Sequence, residues 1–151
     1  MDDARAGSFI RFLDEFHRVR GRIAEGMANA YEERFSDVEG VVLNAVAGAA
    51  SPPTVPQIGR SLGHARQVIQ RAANALIERG LIATVPNPDH KRAHRLVATE
   101  RGLAIKRQAD RRGLELAKRI TSGLDQQVID DACAALHTMR EALENNLKHE
   151  A

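Results

Sequence analysis

Thr54-Val55-Pro56-Gln57-Ile58-Gly59-Arg60-Ser61-Leu62-Gly63 begins with a hydroxyl residue three places before a glutamine and ends on glycine. Thr54 with Gln57 forms a capping box, Pro56 is tolerated in a first turn because its missing amide would be unpaired there, and Gly63 closes a short helix. His64 to Arg79 then predicts a second helix, closed by Gly80. Leu81–Val85 and Ala93–Val97 predict two strands joined by Asn87-Pro88-Asp89-His90-Lys91-Arg92. Helix, tight turn, helix and basic hairpin is the order of a winged helix-turn-helix, which lays one helix in the major groove of DNA.

The second helix divides into two faces. Ile69, Ala72, Ala73 and Leu76 fall at core spacing, while Arg66, Gln67, Gln70, Arg71 and Asn74 fall on the other side. Arginine can grip guanine O6 and N7 bidentately, and Gln and Asn suit adenine N6 and N7. Some of the five are expected to hold phosphates, which fixes register without reading sequence. Arg79, near the helix end, reads as a capping or phosphate charge. Lys91, Arg92 and Arg95 lie on or beside the tip of the wing, 86–93, where an arginine can enter a narrow minor groove.

Charge follows the same division. Residues 54–99 hold seven Lys/Arg and two Asp/Glu, a local charge of +5, and the other fifteen basic and eighteen acidic residues give −3. Positive charge thus collects on the segment that would meet phosphate.

Outside this segment, Phe9, Phe12, Leu13, Phe16, Val19, Ile23, Met27, Ala30 and Tyr31 predict a long amphipathic helix over Phe9–Glu33. Ser36-Asp37-Val38-Glu39 is a second capping box. The helix it opens runs through Val41, Leu43 and Val46 and stops at Gly48 to Pro53, since two prolines cannot continue it. Thr99-Glu100-Arg101-Gly102 opens a further helix with Ile105, Ala109, Leu116 and Ile120 at helical spacing. Gly123 and Asp125 mark a break and a new cap before a last helix carrying Ile129, Ala132, Cys133, Leu136, Met139, Leu143 and Leu147. These terminal helices exceed what a lone winged helix needs for its core. Their apolar stripes would stay uncovered unless they pair, so a homodimer is the economical expectation. The fold class is therefore mainly α with a small β-hairpin wing. Its parts are an N-terminal dimerisation helix (1–35), a winged helix-turn-helix (36–99) and C-terminal dimerisation helices (100–151).

These residues resemble the MarR family of bacterial transcriptional regulators. The likeness covers roughly residues 9–147 in layout, with the specific matches between 54 and 102: Thr54…Ile58…Leu62-Gly63, Arg66-Gln67, Leu76…Glu78-Arg79-Gly80-Leu81-Ile82, Pro88…Lys91-Arg92 and Thr99…Gly102. The resemblance implies an obligate homodimer, a repressor on a pseudo-palindromic operator in double-stranded DNA, and in many members release by a small, often aromatic, effector. It implies a DNA surface of Thr54, Ala65, Arg66, Gln67, Gln70, Arg71, Asn74, Lys91, Arg92 and Arg95. Two positions depart from the family pattern. Ala65 stands where a small hydroxyl residue is usual, which removes a cap worth roughly 0.5–2 kcal/mol. The usual Asp-Arg-Arg of the wing becomes His90-Lys91-Arg92, with the acid displaced to Asp89.

Other function classes fare worse. There is no phosphate-binding glycine loop, no HExxH and no nucleophile elbow, so an enzyme is not expected. Six histidines and one cysteine without a CxxC partner give no expectation of a metal or other cofactor. A redox-responsive regulator would need Cys133 as an exposed thiolate, yet the residue sits on or beside an apolar stripe with Asp130 and Asp131 nearby. A sequence-indifferent architectural or protein-interaction module is the remaining alternative. No apolar run nears the roughly 18–20 residues that span a bilayer, and Met1-Asp2-Asp3 does not open a signal peptide. A single cysteine fits a reducing cytoplasm.

Overall fold

The Ser36 and Thr54 boxes each form as the sequence dictates, and between them they fix where the central helices begin. Ser36 Oγ accepts from the Glu39 amide at 3.2 Å while Glu39 Oε2 accepts from the Ser36 amide at 2.8 Å. Thr54 and Gln57 repeat the exchange, the Thr54 amide donating to Gln57 Oε1 at 2.8 Å. Each box satisfies two amides that the helix geometry would leave orphaned.

The computed structural model describes residues 2–27, 35–89 and 93–149. Among them are α1 (Asp2–Met27), α2 (Asp37–Ala47), α3 (Val55–Leu62), α4 (Arg66–Glu78), β1 (Ile82–Val85), β2 (Arg95–Ala98), α5 (Glu100–Ile120) and α6 (Gln126–His149). The chain divides into two compact units, 1–116 and 117–151.

In the first unit α2, α3, α4 and the hairpin share one core. Leu43, Ile69, Leu76, Leu81 and Ile82 are its largest fully buried side chains, each contributing about 1.5–3 kcal/mol by leaving water. The strands pair antiparallel with Ile82 opposite Ala98 and Val85 opposite Arg95. A third extended segment joins them: Thr54 bridges Arg95, and the Leu96 amide donates to the Pro53 carbonyl at 2.8 Å. The wing is thus hydrogen-bonded to the residue just before the cap of α3.

Several boundaries move. The first helix begins at Asp2 rather than Phe9, and the Ala30 and Tyr31 positions lie outside the described residues. In α2 the buried valines are Val42 and Val46, while Val41 is 38% exposed. Leu43 and Val46 are buried as the spacing predicts, and only Val41 gives way to its neighbour Val42, an ambiguity inherent in two adjacent valines. The fourth helix begins at Arg66, because Ala65 is its N-cap with non-helical backbone (φ −59°, ψ 140°) and no side-chain hydrogen bond. The hairpin is one residue shorter at its start and one later at its end than Leu81–Val85 and Ala93–Val97.

Along α1, Phe9, Phe12 and Phe16 form a ladder with ring centroids 6.0 and 5.8 Å apart. Phe16, Val19 and Ile23 are 40%, 53% and 51% exposed. In the second unit Asp125 Oδ1 accepts from the Gln127 amide at 2.9 Å and caps α6, as Gly123 and Asp125 predict. Leu136 and Leu143 of α6 remain exposed at 40% and 42%.

Candidate nucleic-acid interface

The turn between α3 and α4 sets the direction of α4. Gly63 adopts φ 67°, ψ 27°, the left-handed region glycine enters without a side-chain clash, and its amide returns to the Gly59 carbonyl. The His64 amide bonds the same carbonyl at 2.9 Å. Gly59 matters for a different reason. A Cβ there would lie 2.9 Å from the His64 carbonyl oxygen, so the two helices approach closely only because it has none. The glycine pattern pointed to Gly63 but gave no signal for Gly59, whose need is visible only across the turn.

Helix α4 is wholly two-faced. Ile69, Ala73 and Leu76 have no exposed surface and Ala72 is 7% exposed. Arg66, Gln67, Gln70, Arg71 and Asn74 are all exposed. Gln70 Nε2 donates to Asn74 Oδ1 at 3.0 Å, so these amides orient each other along one edge. Arg71 lines a shallow groove with Ser36, Val38, Glu39, Val68 and Ala72. Ala65 and His64, at the start of the helix, are also exposed.

The remaining predicted residues divide differently. Thr54 is buried at 8%, and its amide and hydroxyl are both engaged with Gln57, so it positions α3 rather than facing outward. Lys91 and Arg92 lie outside the described residues. Arg95 is drawn back against the wing: its Nε donates to Asn87 Oδ1 at 3.1 Å and its Nη2 to Asp89 Oδ2 at 2.6 Å.

Arg79 is held at the end of α4. Its guanidinium carbon lies over the Phe35 ring, and Nη1 is 3.7 Å from Glu39 Oε2. It braces the α2–α4 contact, and neither partner had been signalled by sequence spacing.

This geometry has known counterparts. A model described as MarR family matches residues 35–93, the span from the first capping box to the wing. The segment is similar to the MarR family over that span. A solved MarR-family transcriptional regulator from Rhodococcus sp. RHA1 superposes with a TM-score of 0.74 at 22% identity, covering 88% of this chain and 93% of that one. CouR from Rhodococcus jostii RHA1, solved bound to p-coumaroyl-CoA, superposes with a TM-score of 0.72 at 22% identity, covering 86% and 90%. The fold is that of MarR-family transcriptional regulators, a winged helix with long terminal helices. An uncharacterized protein of Mycobacterium tuberculosis (strain ATCC 25618 / H37Rv) is 36% identical over 90 residues, 60% of this chain and 63% of the relative. The match thus spans less than two thirds of the curated relative's length.

The residues bearing on redox and metal chemistry can also be placed. Cys133 is exposed rather than packed on an apolar stripe in the single chain. Among the described residues no three His, Cys, Asp or Glu side chains gather as a metal site. His90 and His94 are four apart in sequence, and His90 lies outside the described residues. No helix among the described residues is long and apolar enough to cross a membrane.

Proposed function

We propose that the chain is a cytoplasmic, homodimeric transcriptional repressor that binds a pseudo-palindromic operator through α4 and the wing. The observation that carries this reading is the division of α4. Four side chains lock one face into the core, and five groups able to bond base edges or phosphates stand on the other. In this reading Arg66, Gln67, Gln70, Arg71 and Asn74 enter the major groove. Ala65 brings the uncapped amides at the helix start towards a phosphate, where the helix dipole favours negative charge. Thr54 sets the angle of α3, and the wing bearing Lys91, Arg92 and Arg95 lies beside the minor groove.

Dimerisation is supported by α1 and α6, whose half-exposed Phe16, Val19, Ile23, Leu136 and Leu143 need a partner surface. The domain roles follow: 1–35 and 100–151 assemble subunits and 36–99 reads DNA. Release by a small effector is supported by CouR, a structure of the same fold solved with p-coumaroyl-CoA bound.

The test is an anisotropy titration with footprinting on DNA upstream of the protein's own gene and on scrambled DNA, at two salt concentrations. A protected, near-palindromic site bound far more tightly than scrambled DNA supports the repressor reading. Equal, salt-governed binding to every fragment from a genome-wide selection would instead mark an architectural protein.

A further inference from the structure

We propose that Arg95 is a positioning residue of the wing, held by Asn87 and Asp89, and not a contact to the DNA groove. This rests on the regulator reading and assigns one residue of its site a different task. Three hydrogen bonds converge on one corner of the hairpin. Asn87 Oδ1 accepts both from the Asp89 amide at 3.1 Å, closing a tight turn, and from Arg95 Nε at 3.1 Å. Asp89 Oδ2 accepts from Arg95 Nη2 at 2.6 Å.

The arginine side chain is 28% exposed and the aspartate 78%, so the guanidinium is the sheltered partner and the carboxylate comes to it from the loop. The backbone of Arg95 is fixed as well, opposite Val85 in the sheet and bridged to Thr54 on its other side. The arginine is thus anchored at its backbone, and its side chain ties down the outgoing end of the wing loop. A guanidinium with two of its donors committed to Asn87 and Asp89 has a poor geometry for reaching a groove.

The consequence concerns Asp89. An exposed carboxylate on a DNA-facing wing repels phosphate, so its removal should tighten binding by a bystander argument. If the acid instead holds the loop in place through Arg95, its removal should weaken binding. The two views differ in sign.

The experiment compares wild type, Asp89→Asn, Arg95→Gln, the double variant and the charge-swapped Asp89→Arg/Arg95→Asp, on operator and scrambled DNA over a salt series, with melting temperatures. We expect each single substitution to weaken operator binding about three- to tenfold, the double to weaken it no further, and the swap to recover part of the loss. The slope of log K against log salt should stay unchanged in Arg95→Gln, whereas a lost phosphate contact lowers it by about one. Tighter binding by Asp89→Asn, additive losses, or a reduced slope in Arg95→Gln would each overturn the assignment. A wild type indifferent to operator sequence would remove the regulator reading instead. The pair would then be judged by whether the two substitutions act non-additively on melting temperature, and additivity there would reject it.

Discussion

The guanidinium carbon of Arg79 lies 4.2 Å from the centre of the Phe35 ring, joining the residue before the Ser36 cap of α2 to the end of α4. The same side chain reaches Glu39, whose carboxylate also completes the capping box of α2. One arginine therefore couples the start of one core helix to the finish of the helix proposed to read DNA.

Replacing Arg79 with Ala should cost about 1–2 kcal/mol, the sum of a partly sheltered cation–π contact and a weak ion pair. Urea denaturation measures it. Loss of operator affinity at full stability would instead show that Arg79 meets phosphate directly.

Gly102 offers a sharper contrast. A Cβ there would lie 3.0 Å from the Leu81 carbonyl carbon and closer still to its oxygen, and Leu81 is held by a bond from the Thr99 amide. Gly102→Ala should destabilise by about 3 kcal/mol through forced backbone displacement. Gly123→Ala, with nothing within 4 Å of the new carbon, should change stability by less than about 0.5 kcal/mol. Thermal melts of the two variants side by side decide this.

Ala65→Ser should restore a side-chain cap to α4. A serine oxygen at the N-cap can accept from an amide in the first turn, stabilising by about 1 kcal/mol. Calorimetry should show the gain. An unchanged melting temperature would mean that solvent already serves those amides equally well.

Val19→Glu with Ile23→Glu places two charges on the exposed stripe of α1. If that stripe is the subunit interface, sedimentation should show monomers at micromolar concentration. Operator binding should fall by more than about tenfold because a single half-site remains. Unaltered dimers would move the interface away from these positions.

How far the chain could be read from its residues varies with the range of the interaction. Both capping boxes, the Gly63 turn and the faces of α4 were legible because each depends on residues within about one helical turn. Val41 and Val42 could not be told apart, since either fits an apolar stripe and only the packing of α4 against α2 selects the second. The Gly59 contact, the Phe35–Arg79 stack and the Asn87–Asp89–Arg95 corner were invisible because their partners meet only after the chain folds back. Among the predicted DNA-facing residues, Thr54 matched a motif for a structural reason, its cap on α3.

The bond from the Leu96 amide to the Pro53 carbonyl, with the bridge between Thr54 and Arg95, ties the loop before α3 to the free edge of β2. Hydrogen exchange should reveal this as shared fate. The Leu96 amide should be as slow as amides in the core of α4, opening only when the whole winged helix opens. A wing of this kind swings as one piece with the helix that follows Thr54, so any signal that tilts α3 is transmitted to the hairpin without a hinge between them.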